Sequence, residues 1–349
     1  MTHNGRTRIG VIGCGYWGIN YVRVFGELAD SAVSHVCDER QERLQLVKQR
    51  YHPSLSGRSH GWKACTSVEQ LLDERGLDAV VVATPATTHF EVTKKCLEHG
   101  KHVLVEKPIT TNSREAEELV ALAQAHNLVL MVGHTFVFNS GVQAIKRYLD
   151  SKALGQIYYM HATRTNLGPI RTDVNAIWDL APHDVSIFDY LLGVEPNWVS
   201  AVGGRVLGNC REDVGFITLG YPDGVVGNIH VSWADPNKVR EVVVVGSEMR
   251  IVFNDLDAQE RVRIFNKGVK LIPPETDSVG EFHFRLHDGD IISPWVESSE
   301  PLKNQAAHFL SCVRDKTAPR SDGNSALRVV RVMEAIDRSM QQKGMPQAL

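Results

Sequence analysis

Residues 8–27 constrain this chain more than any other stretch. A short run of apolar and β-branched residues, 8–12, leads into Gly13-Cys14-Gly15-Tyr16-Trp17-Gly18, and 20–27 has helical composition. A strand that turns through Gly-x-Gly-x-x-Gly into a helix is the opening unit of a dinucleotide-binding sheet. Gly13 permits the tight turn, Gly15 lets the backbone approach a pyrophosphate, and Gly18 lets the helix pack closely on the strand. The helix N-terminus then offers its amide donors to phosphate.

The same rhythm continues. Strand-like runs at 33–37, 79–83, 102–106 and 128–132 alternate with helical segments at 42–51, 67–75, 88–99 and 113–126. The run at 79–83 is almost continuously β-branched, as a parallel strand covered on both faces requires. This predicts an α/β Rossmann domain over 1–135. Beyond it, a helix at 140–150 precedes candidate strands at 155–165, 198–206, 213–221, 225–233, 240–246, 249–254 and 261–265. Asp223-Gly224 and Gly246-Ser247 read as hairpin turns. Residues 266–300 are polar and read as a long excursion, and helices return at 303–314 and 326–342. The prediction for 136–349 is an α+β domain with a large, mostly antiparallel open sheet. Its exposed face needs cover, so a homodimer or homotetramer through that sheet is expected.

Composition narrows the function. Lys plus Arg number 38 against 41 Asp plus Glu, a net charge of -3 over 349 residues, which disfavours a nucleic-acid binder. No run approaches the roughly 18 apolar residues of a membrane helix, and 8–18 reads as strand and turn rather than a secretion signal. The six cysteines, at 14, 37, 65, 96, 210 and 312, include no CxxC pair. Cys14, Cys37 and Cys96 read as small buried hydrophobes, and a cytoplasmic location is expected. No metal site is expected, because the 15 histidines form no HExxH or Cys/His cluster.

Three further segments carry chemistry. Asp38 ends the second strand, twenty residues after Gly18, where a carboxylate accepts ribose hydroxyls and repels a 2'-phosphate; NAD is therefore expected over NADP. Arg40 and Arg43 stand close enough in sequence to reach a phosphate. Tyr16, Trp17, Glu39, Arg43 and Ala83 complete the candidate cofactor residues beside Gly13, Gly15, Gly18 and Asp38. Glu106-Lys107-Pro108 follows a strand at the edge where open sheets bind ligands, and Lys107 can donate to a reacting oxygen there. Within 178–184, Asp179 and His183 stand i,i+4, which puts both on one helical face, and His183 can exchange a proton near neutral pH. A cap role for Asp179 with Pro182 in the first turn fits the same residues. Asp184 and Asp189 are rival partners for His183. The polar segment 164–175 supplies Arg164, Asn166, Arg171 and Asn175, whose forks and amides suit phosphates and sugar hydroxyls, and Trp178 can stack on a ligand.

These residues resemble the Gfo/Idh/MocA (glucose–fructose oxidoreductase, inositol dehydrogenase, rhizopine catabolism) family over nearly the whole chain. The likeness is carried by 10–18, Asp38, VVVATPATTHFEV at 80–92, HVLVEKP at 102–108, VGHTFVFN at 132–139 and WDLAPHD at 178–184. It implies that Lys107, Asp179 and His183 are catalytic, with His183 the general base. It implies that Thr84, Pro85, Thr88, His89, Glu106 and Lys107 border the nicotinamide half of NAD. The WDLAPHD form and the arginine-bearing segment before it look most like members acting on nucleotide-linked sugars or aminosugar precursors. The resulting expectation is NAD-dependent oxidation of a secondary sugar hydroxyl, at C3 of a nucleotide-linked sugar. A cyclitol, inositol or free-sugar dehydrogenase is the enzymatic alternative, and an NAD-binding sensor or scaffold the non-enzymatic one.

Overall fold

In the computed structural model, residues 5–51, 61–171, 174–208, 210–272 and 283–349 are described. The first unit is built on a six-stranded parallel sheet of β1 (Thr7–Ile12), β2 (Ser31–Cys37), β3 (Lys63–Cys65), β4 (Ala79–Val82), β5 (His102–Val105) and β6 (Leu130–Val132), in the order β3-β2-β1-β4-β5-β6. Between them run α1 (Tyr16–Glu27), α2 (Gln41–Arg50), α3 (Val68–Leu72), α4 (His89–Glu98) and α5 (Ser113–Ala125). All four β4 residues are buried, as the β-branched run predicts for a strand covered on both faces. The chain order reverses between β1 and β4, and ligands of such sheets bind at the carboxyl ends beside that switch. β3 has no counterpart in the sequence reading. It has only three residues, two of them exposed, so no apolar run announces it.

The second unit opens with α6 (Ser140–Asp150), β7 (Ile157–Leu167) and α7 (Ala176–Leu192). Its strands continue as β8 (Trp198–Gly204), β9 (Val214–Gly220), β10 (Val226–Ser232), β11 (Ala234–Gly246), β12 (Arg250–Asn254) and β13 (Val262–Phe265). A small hairpin of β14 (Gly268–Ile272) and β15 (His283–His287) and the short β16 (Ile291–Ile292) follow. The polar stretch 266–300 is thus partly ordered strand, and its residues 273–282 lie outside the described ones. α8 (Pro301–Asp315), α9 (Gly323–Gln341) and β17 (Gln347–Ala348) end the chain. The large sheet has nine strands, ordered β16-β13-β12-β11-β7-β10-β9-β8-β17, and is antiparallel apart from the β7–β10 pair. The β9–β10 connection is a hairpin, as expected, but its loop is Pro222-Asp223-Gly224 and not the two-residue Asp-Gly turn; Asp223 and Gly224 both take positive φ, 62° and 80°.

α7 covers one face of this sheet. A Cβ on Gly215 would lie 2.5 Å from Ile177, and one on Gly227 3.0 Å from Phe188, so two strand glycines admit the helix at close range. The opposite face carries Tyr159, Phe216 and Val226, all exposed, with Phe216 stacked on His230 at 4.5 Å.

The division of the chain differs from the predicted 1–135 and 136–349. The compact units are Met1–Phe138 with Ser299–Arg331, and Asn139–Ser298 with Val332–Leu349. α8 belongs to the first unit because Phe309 packs edge-on against Phe25 of α1. Ala326, Leu327 and Val330 of α9 join the same core as Val105, Leu119 and Leu130.

Candidate active site

In the first unit the glycine turn has the geometry its spacing predicts. Gly13 sits at φ 90°, and a Cβ there would strike the Ala83 carbonyl oxygen at 2.6 Å. A Cβ on Gly18 would meet the Gly13 carbonyl oxygen at 1.7 Å, whereas at Gly15 nothing lies within 4 Å. Gly15 is also the N-cap of α1 and makes no side-chain cap, and no acidic residue occupies the first turn. Such an open, uncapped helix start suits the pyrophosphate of a dinucleotide. Asp38 faces this turn: its carboxylate accepts from the Cys14 amide at 2.7 Å and the Arg40 amide at 2.9 Å. Arg40 Nε stands 3.7 Å from the same carboxylate, while Glu39 is exposed and Arg43 half-buried. Tyr16 and Trp17 are exposed, their rings edge to face at 5.3 Å.

Beyond β4, Thr84 is half-buried and Pro85 and Thr88 are exposed, with the Thr88 hydroxyl 2.9 Å from that of Thr84. Two residues expected at the nicotinamide are placed otherwise. His89 is 1% exposed, and its ring nitrogens lie 2.7 Å from the Pro108 carbonyl and 2.9 Å from the Thr84 carbonyl. It ties the turn after β4 to the turn after β5, and burial holds its pKa below the usual histidine value. Glu106 is 6% exposed and turned inward, onto the Tyr21 hydroxyl and the Lys107 amide. Both side chains are buried and bonded within the first unit. Lys107 itself is half-buried on the turn between them. Nearby His134, after β6, is fully buried and pushed down to about 3 by burial and by the charge of Lys107.

The second unit holds the remaining candidates around α7. Asp179 and His183 lie within one continuous helix, so their i,i+4 spacing does place them on a common face. The cap is Asn175, whose side chain accepts from the Trp178 amide at 2.8 Å and donates to Glu212 at 3.0 Å. That rules out the cap role for Asp179 and gives Asn175 a structural duty in place of the predicted substrate contact. Pro182 lies inside the helix, where its ring removes the intrahelical donor to the Trp178 carbonyl. The Trp178 indole donates to Asp337 at 2.9 Å, and burial raises the Asp337 carboxyl. Arg171 pairs with Asp179 at 3.0 Å. Asn166 is hydrogen-bonded to the Gly168 carbonyl.

Arg164 overturns its predicted role as a phosphate ligand. It is 4% exposed and grips Asp184 with two bonds, 2.7 Å and 3.0 Å. Its fork is spent on α7, and Asp184 is thereby partnered away from His183. Thr172 and Asp173 of the polar segment lie outside the described residues. Among the described residues no group of His, Cys, Asp and Glu has a metal-binding arrangement, and no helix is long and apolar enough to cross a membrane.

Comparison with known proteins matches these two folds in order. Residues 7–134 fit the oxidoreductase family model with an NAD-binding Rossmann fold, and 142–252 fit the GFO/IDH/MocA C-terminal domain. The chain belongs to the Gfo/Idh/MocA family. As a Gfo/Idh/MocA oxidoreductase it takes NAD in the first unit, where the glycine turn fits it. It is 30% identical to the UDP-N-acetylglucosamine 3-dehydrogenase of Acidithiobacillus ferrooxidans, over 76% of this chain and 79% of that one. The scyllo-inositol 2-dehydrogenase (NAD(+)) of Bacillus subtilis is 28% identical over 72% and 71%. The solved structure of the A. ferrooxidans UDP-N-acetylglucosamine 3-dehydrogenase superposes with a TM-score of 0.78 at 25% identity, over 97% of this chain and 98% of that one.

Proposed function

We propose that this protein is an NAD-dependent dehydrogenase that oxidises the C3 hydroxyl of a nucleotide-linked sugar to a ketone. The observation that carries this reading is the likeness to UDP-N-acetylglucosamine 3-dehydrogenase, which spans both units in sequence and in structure. NAD, when bound, supplies the hydride acceptor. His183 serves as the general base for the hydroxyl proton, and Asp179 one turn earlier steadies it. Lys107 meets the negative charge that develops on the oxygen. Gly13, Gly15 and Gly18 hold the pyrophosphate, and Asp38 the adenosine ribose. Arg171 is left as the candidate for the phosphate-bearing part of the substrate. The same reading places the enzyme in the cytoplasm, as a homodimer or homotetramer joined through the face that carries Tyr159 and Phe216.

The similar identity to an inositol dehydrogenase supports a second reading, a cyclitol dehydrogenase. Steady-state assays with NAD separate the two. Reduction of NAD with UDP-N-acetylglucosamine or its uronic acid, and little with inositols or free N-acetylglucosamine, is the expected result. Faster turnover of a free cyclitol would overturn the substrate, and absence of turnover across the panel would overturn the enzyme.

A further inference from the structure

A buried polar chain in the first unit ends at Lys107. Gln305 of α8 has its amide nitrogen 2.8 Å from the Tyr21 hydroxyl of α1, and that hydroxyl lies 2.5 Å from Glu106 Oε1. Gln305 and Tyr21 are fully buried and Glu106 nearly so. An amide nitrogen only donates, so the phenol oxygen accepts from Gln305 and its own proton points at Glu106. The other carboxylate oxygen, Oε2, accepts from the Lys107 amide at 3.2 Å. Both oxygens therefore face donors, the pattern of an ionised carboxylate and not of a carboxylic acid. Gly133, after β6, closes the remaining side: a Cβ there would lie 2.9 Å from Glu106 Oε1. A group held this tightly cannot reach out to a ligand.

We propose that Glu106 is a positioning residue for Lys107: its buried carboxylate, aimed by Tyr21 and Gln305, keeps the adjoining lysine side chain a cation. A charge in a desolvated wall acts strongly on its neighbour, because little water screens it. The titratable groups beside Glu106 supply no negative charge of their own. Tyr21 is held protonated, its pKa pushed well up by burial and by Glu106 itself. His134 is held neutral at physiological pH, and His89, gripping the Pro108 carbonyl, is lowered by burial. Burial raises the Glu106 carboxyl above the usual carboxylate value, the Tyr21 hydrogen bond and the charge and amide of Lys107 pull it back down in part, and the two donors on its oxygens are what mark the ionised form. The value of this arrangement to catalysis rests on the role given to Lys107 above; the electrostatic coupling does not.

The test is the protonation of Lys107 in the NAD-loaded protein, read by competitive acetylation with trace acetic anhydride across pH and mass spectrometry of the Lys107 peptide. In Glu106→Gln the half-modification point of Lys107 should fall by about 1–3 pH units, the usual effect of removing a nearby opposite charge, while the other lysines hold their profiles. An unmoved Lys107 profile overturns the proposal. Tyr21→Phe keeps the carboxylate but takes away a donor. Its acid limb of hydride transfer should shift to higher pH while the alkaline limb stays, and a uniform fall in rate without a shift would show a structural role only. Carboxyl 13C signals of the wild-type protein give a check that needs no variant to fold: a protonated Glu106 at neutral pH sinks the idea. A wild type that oxidises no sugar, combined with a shifted Lys107 profile, would leave this coupling standing and remove the dehydrogenase reading instead.

Discussion

The cofactor turn and helix α7 are fastened in different ways. The turn is written in six consecutive residues, and two of its glycines, Gly13 and Gly18, are required by close contacts with Ala83 and with Gly13 itself. α7 is held by partners scattered along the second unit: Arg164 on β7, Glu212 before β9, Asp337 on α9, and the strand glycines 215 and 227. The first device tolerates much change outside a short motif. The second is a set of polar pairings, of which Arg164–Asp184 is buried and the others part-buried, and removing a partner costs most at the buried pair. A dehydrogenase of this build should therefore lose cofactor binding through local changes and lose its second-unit site through remote ones.

That contrast can be broken most severely at Asp184. Asp184→Asn takes from the buried Arg164 the carboxylate it holds with two bonds, and should lower unfolding stability by about 3–5 kcal/mol in urea titrations. A loss under about 1 kcal/mol would mean the pair is not a fastening. The next effect falls on chemistry alone. Lys107→Ala and His183→Ala should each slow single-turnover hydride transfer about 100-fold or more while calorimetry still finds NAD bound. Near wild-type transfer in both would end the proposed roles. A smaller effect concerns His134. It is neutral when folded and protonates in the unfolded chain below the ordinary histidine pKa, so the unfolded state binds more protons in acid. His134 should contribute a fall of about 1.4 kcal/mol per pH unit from roughly pH 6.5 down towards its folded pKa, on top of the slopes from the other lowered histidines. His134→Gln should reduce the slope of unfolding free energy against pH, read from urea titrations across the range, by that amount and leave the rest. The mildest is Arg171→Ala, expected to reduce kcat/KM about tenfold for a nucleotide sugar and less for the free sugar. Equal losses on both would detach Arg171 from phosphate recognition.

The same contrast decides what the sequence shows in advance. The glycine turn, Asp38, the Lys107 turn and the Asp223-Gly224 hairpin are legible because each is a short run whose backbone demands particular residues. The helix bearing Asp179 and His183 is legible from its spacing, yet its cap is not: Asn175 and Asp179 are both good cap residues, and the choice falls to Asn175 with Glu212 gripping its amide. Arg164 reads as a ligand-facing fork because nothing local announces that Asp184, twenty residues on, will bury it. Glu106 and His89 sit inside the motif of a cofactor cleft, and only the packing of α1 and of the turn after β5 shows that they face inward. Tyr21 and Gln305 give no signal at all, being an ordinary helical tyrosine and glutamine until α8 and α1 meet.

The return of residues 299–331 to the first unit has a consequence for how the protein is made. About 160 residues separate Phe138 from Ser299, and all of them belong to the second unit. At translation rates of roughly 5–20 residues per second, the ribosome needs about 8–30 s to cross that interval. During it the emerging first unit has its whole parallel sheet and its glycine turn, but not Phe309 to cover Phe25 or Gln305 to hold Tyr21. The stretch 299–331, made near the end of synthesis, thus finishes the part that was begun first. A messenger cut short just before codon 299 would release a chain whose second unit lacks only its tail, residues 332–349, yet whose cofactor domain still has an uncovered apolar side for chaperones and proteases to find.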